Sequence, residues 1–576
     1  MEYFYDKIQR EIAEAVATAL GVAVTVPVER ANPKFGANFA VPCFGFAKEL
    51  QQSPQVIAAK AANELHHAAV EKVEATGGFI NIWLKASALA ELLQSDTLAA
   101  EAAGIVFGEH QEGRGKVAIV DFPSFNMAKP VSVGHLRPSN QGWAVYKLLA
   151  AMGYDVVRDN HLGDWGTPFG KWVVGFKSFS SEEELQRKGV YELARIYIKM
   201  TAELKYEVEH EKTELADKVQ DALVKLEQGD PEMVDFNERF KAISMEHIYK
   251  VMNRLKIATD EELGESFYIP MAKDIIADCI NSGVAVQQED GSIIADISEY
   301  GIDTPVLLQK RNGAALYMTS DVACIKYRWD RWKPTKMVYP VGQEQKFHFA
   351  QLFALSDKLG YKDTELVHAS FGMIDQLNDD GTRGKMSSRK GVVLLEDLLD
   401  KGEAKARAQV AETGTEGVTE EDIKKIALGA IKFTDFAADR NTNILFDWNR
   451  IFALQGFSGP YVQYAGVRIS AIIRKFGAEK GIDFDTTYDW QSEKELLMHL
   501  ASYPVVVREA ATAYEPHRIA QFVYDLARML NRYYEEVSIA ESEPGLQEQR
   551  LWLLGRIQEV HAHALDLLGI EVPSRM

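Results

Sequence analysis

The stretch from Lys116 to Leu162 reads as strand, helix, strand. KVAIVDF (116–122) is an apolar strand. A helix follows over 134–152, Gly153 stands at its C′ position, and GYDVVRDNHL (153–162) is a second strand. Few features constrain a chain more than such a β-α-β unit. KMVYPVG (336–342) and ELVHASFGMI (365–374) are further short strands, and TPVLLQKRNGAALYM (304–318) resumes the sheet with a hairpin turn at Asn312-Gly313. Strands alternating with helices predict a mostly parallel, Rossmann-like sheet, with ligands outside the carboxyl ends of its strands. The dinucleotide fingerprint G-x-G-x-x-G is absent.

The rest of the chain divides around this α/β unit. Residues 1–110 carry amphipathic helices and the strand GGFINIWL (77–84), which predicts a small α+β N-terminal domain. Gly108 and EHQEGRGK (109–116) read as its linker. The α/β unit spans 111–400, with a Glu-, Lys- and Leu-rich helical insertion at about 180–262. Every segment after about 400 reads as helical: a connecting region at 401–450 and an all-α C-terminal domain at 451–576. A length of 576 residues suits three or four domains.

Composition removes several function classes. No apolar run reaches 18 residues, so no membrane span is expected. The N-terminal helix carries charges throughout and lacks the apolar region of a signal peptide, and cytoplasmic residence is expected. Cys43, Cys279 and Cys324 are too few and too scattered for a disulfide framework or a zinc site. The net charge of −20 argues against a whole-surface polyanion binder. It leaves room for focal basic patches at KYRWDRWKPTK (326–336), RGKMSSRKG (383–391) and Arg468, Arg474 and Lys475.

Two loops carry candidate chemistry. VGHLR (133–137) follows the first strand and opens a helix, whose N-terminus offers free N–H groups to a phosphate. Gly134 lets the chain come close, His135 can donate, and Lys129 adds a cation from the same loop. GKMSSRKG (384–391) holds the cations Lys385, Arg389 and Lys390 and the hydroxyls Ser387 and Ser388, a set suited to the β- and γ-phosphates of ATP. Either loop alone is equally compatible with a structural turn or a solvated basic loop.

In this order, about 250 residues apart on a β-α-β chain, the loops resemble the two signature motifs of class I aminoacyl-tRNA synthetases. The surrounding blocks resemble the arginyl-tRNA synthetase family in particular: SFNMAKPVSVGHLR (124–137), NHLGDWGTPFG (160–170), GESFY (264–268), YMTSD (317–321), GPYVQYAGVRI (459–469) and LDLLGIEVPSRM (565–576), with GANFAVPCFGFAK (36–48) and GGFIN (77–81) in the N-terminal domain. The family's pattern is broken at Ser132 (a histidine there), Pro168 (glutamine), Ser388 (lysine) and Gly466 (histidine).

The resemblance implies a class I synthetase fold and an arginine–tRNA ligase, which forms arginyl-adenylate from arginine and ATP and passes the arginyl group to the 3′ end of tRNA(Arg). It implies Mg²⁺ accompanying ATP, no structural metal, and tRNA(Arg), L-arginine and ATP as partners, with neither DNA nor a membrane; a monomer is expected. It assigns catalysis to Lys129, His135, Lys385 and Ser387. ATP binding falls to Ser132, Gly134, His135, Gly372, Met373, Lys385 and Ser388. Arginine binding falls to Asn126, Glu265, Tyr317, Asp321 and Gln345, and tRNA binding to Tyr461, Gln463, Arg468 and Arg532. The pocket makes chemical sense, because a guanidinium stays charged and prefers planar carboxylate partners. Ser132 opens the alternative of a catalytically weakened paralogue that binds RNA or arginine.

Overall fold

The computed structural model describes residues 2–23, 26–31, 36–311, 316–377, 383–386, 393–477, 481–482 and 489–576. Its centre is a four-stranded parallel sheet. In chain order the strands are β1 (Val117–Asp121), β2 (Asp155–Asp159), β3 (Lys336–Tyr339) and β4 (Glu365–His368), and in space they lie β4-β3-β1-β2. Helix α1 (Leu136–Ala151) makes the first crossover. Alternate residues face opposite sides of the sheet, and both sides are covered. Ala118, Val120 and Val338 pack with Val145 and Leu149 of α1. Ile119, Met337 and Tyr339 face a second layer with Val322, Ile325, Leu352 and Leu355.

One guanidinium ties the carboxyl edge of this sheet together. Arg328 is 1% exposed; its Nη2 donates to Asp121 Oδ2 at 2.7 Å, its Nε to Asp159 Oδ2 at 2.8 Å, and its Nη1 to Tyr339 Oη at 3.4 Å. Those three partners are the last residues of β1, β2 and β3.

Three strand assignments differ from the sequence reading. Val306–Gln309 does not join the parallel sheet: it pairs antiparallel with Ile293–Ala295, which pairs with Ala285–Gln287. The turn at Gln288–Ser292, closed by Gln288 N–H to Ser292 O and by Asp290 accepting from Ser292, supplies a closer partner than the central sheet. Asn312-Gly313 lies outside the described residues, and Tyr317 already begins a helix. The run 365–374 splits at Gly372, where a Cβ would come within 2.8 Å of residues 441–443. The chain there leaves the sheet, and Ile374–Leu377 pairs with Arg383–Lys385 and with Ile444–Leu445. The region after 400 is therefore not wholly helical; a two-residue strand is too short to leave a periodic signal.

Residues 182–255 form four helices, the last of which is α2 (Pro231–Leu255). The N-terminal region is a four-stranded antiparallel sheet with helices Phe4–Leu20, Pro54–Glu64 and Ala86–Ala102. It shares one apolar core with the C-terminal helices: Phe39, Val41, Ile82 and Leu89 belong to the same cluster as Leu497, Leu500, Val523 and Leu526. Arg508 forks onto the Asp6 carboxylate at 2.7 and 2.6 Å across that junction. The segment expected as a solvated linker is pinned there too. Gly108 N–H donates to Tyr3 Oη, Tyr3 Oη donates to Glu109 O, and His110 Nε2 lies 2.8 Å from Pro504 O.

A second buried charge pair fastens the first turn of α1. Arg137, 1% exposed, donates from Nε to Asp435 Oδ1 at 2.7 Å and from Nη1 to the carbonyls of Gly372 and Thr442 at 2.7 and 3.0 Å. Gln141 adds a bond to the same carboxylate. Burial pushes the Asp435 carboxyl up, and Arg137 holds it down against that push. Arg137→Ala strands Asp435 and two carbonyls in a dry site, so a loss of about 3–5 kcal/mol is expected, read as a fall in the urea midpoint of unfolding. An unchanged midpoint would show that the pair is not structural.

Candidate active site

The loops leaving the carboxyl ends of β1, β2 and β3 enclose a cavity of about 490 Å³. Asn126, Lys129, Glu265, Tyr317, Asp321 and Gln345 all line it, six residues drawn from four separate stretches of chain. Asn126 is placed by backbone pairing between 125–127 and Gly163: Met127 N–H donates to Gly163 O and Gly163 N–H to Phe125 O. Gly163 is needed there, since a Cβ would sit 2.9 Å from Asn126 Oδ1. Glu265 begins a short helix whose N–H reaches back to Leu162 O at 3.0 Å. Tyr317 and Asp321 stand one turn apart on α3 (Tyr317–Trp332), and Gln345 ends the turn that opens α4 (Lys346–Lys358).

The cavity is electronegative on the side of Glu265 and Asp321. Among the described residues neither Glu265 nor Asp321 has a lysine or arginine partner; Asp321 Oδ2 meets His348 Nε2 at 2.8 Å. Burial, reinforced by Asp321 and Asp164, pushes the Glu265 carboxyl up to about 7. Such a site holds a cation deficit that a guanidinium would fill. Pro168, in the first turn of helix Thr167–Phe179 where no N–H is required, also lines the cavity.

The other signature residues adjoin the cavity without lining it. Val133–His135 is a tight turn entering α1. His135 Nδ1 lies 3.3 Å from both the Ser132 N–H and the Ser132 Oγ. Accepting at Nδ1 leaves the proton on Nε2, and burial pushes this imidazole down to about 4, so it is a neutral donor. The Ser132 hydroxyl lies against His135 and helps to orient the ring. A Cβ on Gly134 would meet only Ser132 Oγ, at 3.4 Å, so the chain's own packing does not demand glycine. Lys129 Nζ lies 4.9 Å above the Tyr197 ring and has no carboxylate partner among the described residues.

Val133 N–H donates to Val393 O and Leu395 N–H to Val131 O, which stitches the first loop to residues 393–395. Lys385 pairs through its backbone with Asp375, and Met386 N–H donates to Ile374 O. Ser387, Ser388, Arg389 and Lys390 lie outside the described residues. Gly372 and Met373 follow β4, held by Gly372 N–H to Arg440 O and Met373 N–H to Asn443 Oδ1.

The C-terminal assignments divide. Gln463 is fully buried, its Nε2 bonded to Lys425 O and Glu571 O; it ties helices together and offers nothing to tRNA. Tyr461 is half-buried, with Oη accepting from Asn531, and Arg468 lies over the Tyr534 ring. Arg532 is exposed and paired with Glu495. Tyr464, exposed one turn from Tyr461, was not singled out by sequence. Gly466 leaves room for His561, whose Cε1 a Cβ would approach to 2.7 Å. KYRWDRWKPTK is no basic patch: Lys326 pairs with Asp330, Arg328 with two aspartates and Arg331 with Glu261. Sequence reasoning also passed over His348, Asp164 and Lys241. The first lies one helical turn past Gln345, and the other two stand 77 residues apart.

Among the described residues no group of three His, Cys, Asp or Glu could hold a metal ion, and no helix is long and apolar enough to cross a membrane.

Comparison with known proteins accords with this geometry. The family model for tRNA synthetases class I (R), catalytic domain, matches residues 100–448. The arginyl tRNA synthetase N terminal domain matches 6–84, and the DALR anticodon binding domain 462–576. The arginine–tRNA ligase of Lactococcus lactis subsp. cremoris is 33% identical over 574 residues, covering 99% of each chain. That of Latilactobacillus sakei is 35% identical over 542 residues, 94% of this chain and 93% of its own. The Thermus thermophilus arginyl-tRNA synthetase structure superposes with a TM-score of 0.81 at 25% identity, over 99% of this chain and all of its own. The Plasmodium falciparum enzyme shares the fold at a TM-score of 0.83 and 23% identity, over the whole of both chains. The chain belongs to the arginyl-tRNA synthetase family of class I aminoacyl-tRNA synthetases.

Proposed function

We propose that the protein is an arginine–tRNA ligase. Its family supports this reading, and the observation that carries it within the molecule is the carboxylate pair Glu265 and Asp321, beside Tyr317, in a cavity where neither acid has a lysine or arginine partner among the described residues. These groups take the guanidinium, and Asn126 and Gln345 meet the α-amino group. The arginine carboxylate attacks the α-phosphorus of ATP and pyrophosphate leaves; a 3′-terminal ribose hydroxyl then attacks the acyl carbon and AMP leaves. No covalent enzyme intermediate is needed. The protein positions the reactants and stabilises charge developing on the phosphates. His135 Nε2–H and the Lys129 ammonium supply that charge stabilisation, with Lys385 and the hydroxyls of the second loop. Mg²⁺ would enter with ATP as the nucleotide's counter-ion. A monomer acting in the cytoplasm, dependent on tRNA for arginine activation, completes the proposal.

The decisive test is charging of total tRNA with each labelled amino acid. Transfer of arginine alone is expected, and a folded protein that transfers none would leave a binding role in its place. Within the pocket, Asp321→Ala should cost about 2–5 kcal/mol, as for one partner of a buried charge pair, seen mainly in arginine KM. Arginine kinetics unchanged by that substitution would remove Asp321 from the site.

The raised Glu265 carboxyl gives a pH signature. Guanidinium binding needs the carboxylate, which is protonated in the free protein below about 7. Arginine KM should therefore fall as pH rises from 6 to 8, and binding near pH 6.5 should release a proton, measurable by calorimetry in buffers of different ionisation enthalpy. A flat profile with no proton release contradicts the assignment of Glu265.

On the nucleotide side, His135→Ala should lower kcat by roughly 10²–10³, the cost of one transition-state donor. Ser132→Ala, which removes one of two hydrogen bonds orienting that ring, should cost less than about tenfold. Equal losses in the two variants would mean that Ser132 acts on the phosphates directly.

A further inference from the structure

One face of α2 presents three polar side chains at successive turns, Lys241, Ser244 and His247, toward the cavity walls. Ser244 Oγ accepts from Ala128 N–H at 2.8 Å and His247 Nε2 from Val131 N–H at 3.1 Å, so two of them hold the loop that carries Asn126 and Lys129. Lys241 makes a different kind of contact. Its Nζ donates to Asp164 Oδ2 at 2.8 Å, and Asp164 is 5% exposed.

Asp164 clamps the turn that bears Glu265. Its carboxylate accepts from Ser266 N–H at 2.9 Å and Ser266 Oγ at 2.7 Å, and a Cβ on Gly264 would come within 2.2 Å of it. The clamp brings a negative charge close to an acid that must itself ionise. Asp164 from the turn after β2 and Asp321 from α3 both push Glu265 toward its protonated form. The other titratable or charged groups lining the cavity are Tyr317, Cys324 and Arg328 on α3, His348 on α4, His161 after β2, Lys129 on the loop after β1, and the strand-end residues Asp121 and Tyr339, with Asp121 paired to Arg328. Among the described residues, Lys241 is the one lysine or arginine paired with any of Glu265, Asp321 and Asp164.

We propose that Lys241 is a positioning residue for arginine: its ammonium on Asp164 lets that carboxylate hold the Glu265 turn in place while lessening the repulsion it exerts on Glu265 where a guanidinium binds. This rests on the reading of Glu265 as a guanidinium partner. Glu265, Asp321 and Asp164 outnumber the single substrate guanidinium by two charges; Lys241 offsets one of them, at the acid that does not line the cavity. A lysine serving only to tie α2 to the turn after β2 would affect arginine and ATP alike and would leave the pH profile of arginine KM where it was.

The test is the pH dependence of arginine KM and ATP KM, from pH 6 to 9, in the parent protein, Lys241→Gln and Lys241→Arg. Lys241→Gln keeps a donor and removes the charge. It should move the midpoint of the arginine profile upward by roughly 0.5–1 pH unit, which raises arginine KM about three- to tenfold below the midpoint. ATP KM, the control for an intact fold, should stay within about twofold, and Lys241→Arg should restore the parent midpoint. Adding Asp164→Asn to Lys241→Gln should bring the midpoint back down, because the charge to be neutralised is then gone. A parent with a clear midpoint and a Lys241→Gln variant that shares it, or one that raises both KM values together, overturns the role of Lys241 alone. A parent whose arginine KM is flat across the range overturns the reading of Glu265, and the proposal with it.

Discussion

Everything the site does starts from three strand ends held by one side chain. Asp121, Asp159 and Tyr339 close β1, β2 and β3, and Arg328 bonds to all three from within a dry layer. The loops beginning one residue later carry Asn126, Lys129 and His135, then Gly163 and Asp164, then Gln345. Parallel strands present their carbonyl ends and following loops on one edge, so this edge is where a ligand must bind. Two carboxylates there would repel each other without a counter-ion. The guanidinium turns that repulsion into a fixed spacing, and the spacing of three loops follows from it.

Arg137 extends the same logic to the turn that opens α1. It stands two residues past His135 and grips Asp435 with the carbonyls of Gly372 and Thr442. The turn entering α1, the segment after β4 and the helix ending at Asp435 therefore share one buried node. Both nodes use arginine where a lysine could not serve, because each must satisfy several acceptors in fixed directions. The overall charge of −20 is no obstacle to such a site, since the cations that matter here are placed singly.

The sheet and α1 were legible because their signal is local, a long β-α-β pattern; that Asn126, Glu265, Tyr317, Asp321 and Gln345 belong together came from the family resemblance, and they line one cavity. What failed was partnership. The strand at Val306–Gln309 exists as read, yet nothing within it says that Ile293–Ala295 is its neighbour. Gln463 lies between Tyr461 and Tyr464 on a helix packed on more than one side, and composition does not say which polar residue turns inward. The contact of the Ser132 hydroxyl with an imidazole three residues on was likewise not foreseen. Asp164 and Lys241 join a turn of the α/β unit to a helix of the insertion, a pairing that only the tertiary structure makes visible.

The core shared by the first hundred residues and the C-terminal helices has a consequence for synthesis on the ribosome. The sheet of residues 29–84 emerges early, but part of its apolar cover comes from Leu497, Leu500, Val523 and Leu526. At ~5–20 residues per second, the wait between the two is tens of seconds. Over that interval the nascent N-terminal region holds incomplete burial while the whole α/β unit is made and folds between them. The order of completion is therefore inside out: the middle of the chain can finish first, and the two ends close together, last.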